Sequence, residues 1–175
     1  MVKNTRPGRG GVAFLLLVAA IWPAMACSDL ARESPLANAR TSSEALGRAA
    51  LAAVTANDEE TLSALMITRD EYETLLWPSL PDRDQMPFEF VWSLTGPRSR
   101  KARRAVLEEY GGLALELVEV DLGEDVETYE GFALYREARM TIRRTDTGQV
   151  GTFPLMDVLV FMGGGWKFLN YAEDL

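Results

Sequence analysis

The chain has 175 residues, with 18 Lys and Arg against 26 Asp and Glu, no histidine and one cysteine. Without imidazole, His-ligated metals and Ser-His or Cys-His catalytic arrangements are excluded, and a single cysteine closes no disulfide within the chain. The formal net charge of −8 favours solubility and repels nucleic acid and anionic lipid as a whole.

The first ten residues carry Lys3, Arg6 and Arg9 and no acid. Gly11 to Ala26 is then apolar around Phe14-Leu15-Leu16-Leu17-Val18 and closes on Ala24-Met25-Ala26 before Cys27. A cationic start, a short apolar core and a small-residue exit make residues 1–26 a signal peptide, too short and too interrupted at Pro23 for a spanning helix. The stretch Ala24-Met25-Ala26-Cys27 resembles the lipobox of bacterial lipoproteins, with Ala24 where that family prefers Leu. The resemblance implies diacylglycerol on Cys27, cleavage before it, and no free thiol in the mature chain. Ser28 resembles the sorting type sent to the outer membrane. Ala24-Met25-Ala26 also fits an ordinary A-x-A site, which would release a soluble secreted or periplasmic protein; an uncleaved anchor is the third alternative. Removing 26 residues from 175 leaves 149, and removing three cations leaves 15 against 26 acids, a net charge of −11. That is one domain with room for a core.

Residues 27–42 read as the anchor cysteine and a flexible tether, polar and small-residue rich around Pro35. The domain, 43–175, opens with helical signals. Leu46, Ala50 and Val54 repeat at helical spacing after Ser43 as N-cap. Asn57 caps a second helix with Asp58-Glu59-Glu60 in its first turn and Leu62, Leu65 and Met66 on its apolar face. Thr68 and Glu71 form a capping box for a short helix carrying Tyr72, Leu75 and Leu76, stopped after Trp77 by Pro78. Ser79 to Pro87 is a loop. Phe88, Val91 and Trp92 share a helical face; Gly96-Pro97 breaks or kinks that helix, and a stretch from Arg98 ends at Tyr110 with Gly111 as cap.

From Leu113 the period is two. Leu113, Leu115 and Leu117 alternate, then the phase slips to Val118, Val120 and Leu122, predicting a bulge. Phe132, Leu134, Ala138, Met140 and Ile142 mark one long strand, Thr145 to Gly148 a turn, Phe153 to Met162 a strand with an edge or bulge at Pro154, and Trp166 to Tyr171 the last strand. The fold class is therefore α+β, with N-terminal helices on one face of a four-stranded, strongly twisted antiparallel meander. This order, with the closing Gly164-Gly165-Trp166-Lys167-Phe168 and Tyr171, resembles the nuclear transport factor 2-like (cystatin-like) superfamily. One departure is the absence of a clear strand between the second and third helical regions.

No glycine-rich phosphate loop is present: Gly163-Gly164-Gly165 lies between strands. No cofactor is implied. Four features remain as candidates. Arg98 to Arg104 holds five cations in seven residues; Arg100, Lys101, Arg103 and Arg104 form a docking patch for anionic headgroups, envelope polymer or an acidic partner, or a solvated helix paired with Glu108, Glu109 and the acidic loop Gly123 to Glu130. Arg100, Lys101 and Arg104 share a face, and Arg103 points elsewhere. Asp157, in a strand and alternating onto the face of Leu155 and Leu159, is a weak catalytic candidate, since pockets of the resembled superfamily use such an acid for proton transfer. Trp92 and Tyr135, with Trp77, Tyr129, Trp166 and Tyr171, line a pocket or fill the core. Glu124, Asp125, Glu127 and Glu130 lack the calcium-loop pattern and read as a solvated loop, so no metal is expected. The functional expectation is a lipid-anchored envelope protein with a non-enzymatic domain that binds an envelope protein or small ligand. The alternatives are a pocket enzyme of ketosteroid-isomerase type using Asp157, and a structural accessory subunit.

Overall fold

The computed structural model describes residues 34–171; the signal segment, Cys27 and residues 28–33 lie outside the described residues. Helices precede strands. In order come α1 (Ser43–Thr55), α2 (Glu59–Ala64), α3 (Arg69–Glu71), a π-helical turn Tyr72–Leu76, two 3-10 turns and α4 (Phe88–Tyr110). The strands are β1 (Leu115–Asp121), β2 (Val126–Thr128), β3 (Phe132–Tyr135), β4 (Arg139–Arg144), β5 (Val150–Phe153), β6 (Met156–Met162) and β7 (Gly165–Tyr171). They form two antiparallel sheets, in the orders β1-β4-β5 and β2-β3-β6-β7.

The α+β class is as expected, but the single four-stranded meander is not. The long strand predicted from Phe132 to Ile142 is divided between the sheets at Arg136–Ala138, where Glu137 adopts a φ of 60°. The strand predicted from Phe153 to Met162 is likewise divided at Pro154-Leu155. Even-numbered burial continues across the first break while the core behind it changes, so periodicity alone hides the division. Phe132 and Leu134 join Val158, Val160 and Met162 under Leu36, Ile67, Tyr72 and Leu76. Met140 and Ile142 join α1, α2, Val106, Phe153 and Leu159. The four-stranded sheet is thus covered on both faces.

Local chemistry accounts for the helices. The caps lie one residue from the predicted Ser43 and Asn57: Ser42 Oγ accepts from Ala45 N at 3.1 Å, and Asp58 Oδ1 from Thr61 N at 2.9 Å. The Thr68–Glu71 capping box is present. Gly47 lets α1 lie close to the three-stranded sheet, because a Cβ there would meet Val120 Cγ2 at 3.2 Å and Met140 Sδ at 3.3 Å. The predicted bulge in β1 occurs at the phase slip, where the register with β4 shifts between Leu117 and Glu119 and leaves Val118 exposed. In contrast, α4 is unbroken through Gly96-Pro97. Pro97 lies on the exposed side, so the carbonyl it deprives of a partner faces water.

The second correction concerns the tether. Residues 34–42 are packed onto the domain: Leu36 is buried, Ser34 Oγ donates to Met162 O at 2.7 Å, and Arg40 exchanges both backbone hydrogen bonds with Trp166. With Ile67 N to Phe168 O and Phe168 N to Leu65 O on the same side, the outer edge of β7 is covered.

A buried ion pair joins these layers. Lys167, 0% exposed, donates from Nζ to Glu71 Oε2 at 2.8 Å. The same carboxylate accepts Thr68 N at 2.7 Å and Ala37 N at 2.6 Å. Burial would raise the Glu71 carboxyl, but the Lys167 ammonium and the two backbone donors outweigh it and hold it below its ordinary 4.5. A depressed carboxyl stabilises the fold above its unfolded value and loses that contribution as pH falls through its folded value. We expect Lys167→Met to cost about 3–5 kcal/mol at neutral pH, because Glu71 is left charged and uncompensated. Denaturant titrations should show this deficit narrowing as pH falls and Glu71 protonates; a pH-independent deficit would refute the assignment.

Candidate functional site

An open cleft of about 670 Å³ lies on the face of the four-stranded sheet that carries β3 residue Leu134 and β6 residue Val158. Two opposed bulges build it. In β6, Asp157 is the extra residue between the Met156–Tyr171 and Val158–Asn170 pairs; in β7, Leu169 is the extra residue before the Leu159–Phe168 pair. A bulge turns consecutive residues toward one side, so Asp157 with Val158, and Leu169 with Asn170, all line the cleft. Asn170 Nδ2 donates to Asp157 Oδ2 at 2.5 Å, while Asn170 Oδ1 has no partner among the described residues.

Tyr72 and Leu76, from the π-helical turn, complete the apolar floor. Such turns recur at functional sites because they displace one residue of a helical face. Burial pushes the Tyr72 phenol up, helped by the charge of Asp82. Asp82, Asp125 and Glu137 add carboxylates to the rim. Arg136, the one cation lining the cleft, is held by Glu127 through Nε at 2.6 Å and Nη2 at 2.9 Å, and Tyr129 OH donates to the same carboxylate at 2.6 Å. These partners lower the Glu127 carboxyl, the Arg136 hydrogen bonds most strongly. Five carboxylates face one neutralised guanidinium, an environment suited to a ligand with a positive charge or several donors and an apolar body.

The sequence candidates fare unequally. Asp157 lines the cleft, but the bulge, rather than the predicted alternation with Leu155 and Leu159, puts it there. Trp92 and Tyr135 are not brought together. Trp92 belongs to a ring cluster with Tyr72 at 5.8 Å and Phe88 at 6.2 Å. Tyr135 packs on Trp166 at 4.9 Å, against the other core. Neither lines the cleft.

Of the predicted docking cations, Arg103 is only 6% exposed, with Nη1 on Met66 Sδ at 3.1 Å and Nη2 3.9 Å from Glu59, and is not available for docking. Arg100, Lys101 and Arg104 are exposed and surround a shallow depression with Pro97 and Glu108. The acidic stretch after Gly123 contains edge strand β2 rather than only a loop, and no acid cluster with metal-holding geometry occurs among the described residues.

Asn170, Arg136 and Tyr72 were missed as cleft residues because they converge only through the bulges and the π-helical turn. Lys167 had a signal: a lysine between Trp166 and Phe168 in a largely apolar strand needs a charged partner wherever the strand is buried. Comparison with known proteins finds no matching family model, no matching curated protein and no matching solved structure.

Proposed function

We propose that this is a lipid-anchored cell-envelope protein whose domain, of nuclear transport factor 2-like (cystatin-like) type, binds a small cationic amphipathic ligand without transforming it. The observation that carries the binding reading is the cleft: about 670 Å³, with an apolar floor and an acid-rich rim, within the size range of small-molecule sites. The order of helices before antiparallel strands supports the fold type, and the lipobox-like Ala24 to Cys27 supports the anchor. Asp157 and Glu127 both serve cleft architecture, through Asn170 and through Arg136 with Tyr129, which favours holding a ligand over moving its protons.

A second reading has one observation in its favour. Asp157 and Tyr72 line the same cleft, and a carboxylate base with a phenol donor is the pairing a ketosteroid-isomerase type of proton transfer requires.

Tryptamine and its carboxylate counterpart indole-3-propionate test the cationic-ligand reading by charge. We expect tryptamine to raise the melting temperature and indole-3-propionate to leave it unchanged. Asp157→Asn should weaken tryptamine binding several-fold, by loss of a charge-assisted contact. Equal binding of both probes, or none, would end the cationic-ligand reading. Conversion of a β,γ-unsaturated ketone to its conjugated isomer, lost in Asp157→Asn, would replace binding with catalysis.

The address has its own test. Mass spectrometry of the processed chain should find an N-terminal, diacylglycerol-modified Cys27. Cys27→Ser should abolish that modification and, with it, cleavage before residue 27; unchanged processing of the Cys27→Ser chain would remove the anchor.

A further inference from the structure

The outward side of α4 carries a feature that the cleft does not use. Phe90, Leu94, Pro97, Lys101 and Arg104 follow one another at spacings of four and three residues, and so form one stripe along the helix. Phe90 is 53% and Leu94 45% exposed, and Met86, four residues before Phe90, is 36% exposed. The inward side holds Phe88, Trp92, Ser99, Ala102, Arg103 and Val106. The stripe is therefore apolar in its first half and basic in its second. There Arg100 flanks Lys101 and Arg104 around a depression of about 370 Å³.

Within the described residues, neither Arg100 nor Lys101 forms a salt bridge, while Arg104 Nε lies 4.0 Å from Glu59. The acids nearest the cations are Glu59 and Glu108. Exposed apolar side chains aligned in one stripe mark a surface suited to an interaction. No helix among the described residues is long and apolar enough to cross a membrane, so α4 would lie on a surface and not span it.

We propose that this face of α4 docks on an anionic lipid surface, with Phe90 and Leu94 entering the interfacial layer and Arg100, Lys101 and Arg104 resting on phosphate headgroups. The partner follows from the pattern. Aligned aromatic and aliphatic side chains next to exposed cations match the apolar-then-charged profile of a bilayer interface. The distant acids of the domain are screened beyond a Debye length of about 10 Å, so the contact is decided locally, by three cations against Glu59 and Glu108. This contact is separate from lipid on Cys27 and from the cleft; it would hold the domain against the bilayer in one orientation.

The test uses the full chain carrying Cys27→Ser, with a single probe cysteine, Leu94→Cys, labelled with an environment-sensitive nitrobenzoxadiazole dye. Phosphatidylcholine vesicles containing phosphatidylglycerol should shift its emission to the blue, and pure phosphatidylcholine vesicles should do so far less. A dye at Thr147→Cys, on the exposed turn after β4, should stay wet even where residues 1–26 bind the vesicle. Replacing Arg100, Lys101 and Arg104 with Gln should weaken the Leu94 response by on the order of 100-fold in lipid concentration, and high salt should mimic that loss. The proposal fails if position 94 stays wet on anionic vesicles, including where an acidic protein shifts it instead. It also fails if pure phosphatidylcholine is as effective, or if the triple variant responds like the parent.

Discussion

Glu71 and Lys167 sit 96 residues apart in the chain and 2.8 Å apart in the fold. Removing both charges from water is costly, and attraction between them alone seldom compensates; the remaining lone pairs must also be filled. Here they are filled by Thr68 N, from the helix cap, and Ala37 N, from the segment before α1. One carboxylate thus holds together the N-terminal strap, the start of α3 and the last strand. Because Glu71 immediately precedes the π-helical turn, the same node also sets where Tyr72 and Leu76 lie over the sheet.

From that placement the cleft follows. The turn supplies one wall, and the sheet supplies the other, where bulges in β6 and β7 turn Asp157, Val158, Leu169 and Asn170 to the same side. A flat antiparallel pair would have sent alternate members of that set into the opposite core. The larger core, built by α1, α2, the C-terminal half of α4 and the three-stranded sheet, holds the back of the same strands through Leu159, Phe168 and Tyr171. Tyr171 ties it down further by donating to Leu62 O at 2.5 Å, and burial pushes its phenol far up, so it stays protonated. A packed back and an irregular front let one small sheet serve both as scaffold and as the floor of the cleft.

Charge is distributed with similar economy. The cleft rim is acidic and its arginine is neutralised by Glu127, whereas Lys101 and Arg104 of α4, flanked by Arg100, lie along an outer stripe with exposed Phe90 and Leu94. Arg103 is the exception: it turned inward, where its stem packs and its guanidinium meets Met66 and Glu59. Residues adjacent in sequence can therefore take opposite roles on one helix.

How much of this was legible beforehand depended on the range of the interaction. Hydrogen bonds and apolar spacing within one turn or one strand were readable: the Thr68–Glu71 box, the α1 face, the β1 bulge at a doubled apolar position, and the closing strand. Their causes lie within a few residues of their effects. What pairs with what was not readable. The division of two predicted strands between two sheets, the packing of residues 34–42 on β7, and the separation of Trp92 from Tyr135 depend on contacts that span much of the chain. The same holds for the cleft around Asp157, since a side chain's face is decided by the register its partner strand imposes. By itself the amino-acid order determined an α+β chain with helices first and chemistry without imidazole, because composition and local periodicity suffice for both. Only the tertiary structure decided that Lys167 is buried against Glu71 and that Asp157 meets Asn170, because each requires desolvated groups from distant segments to find one another.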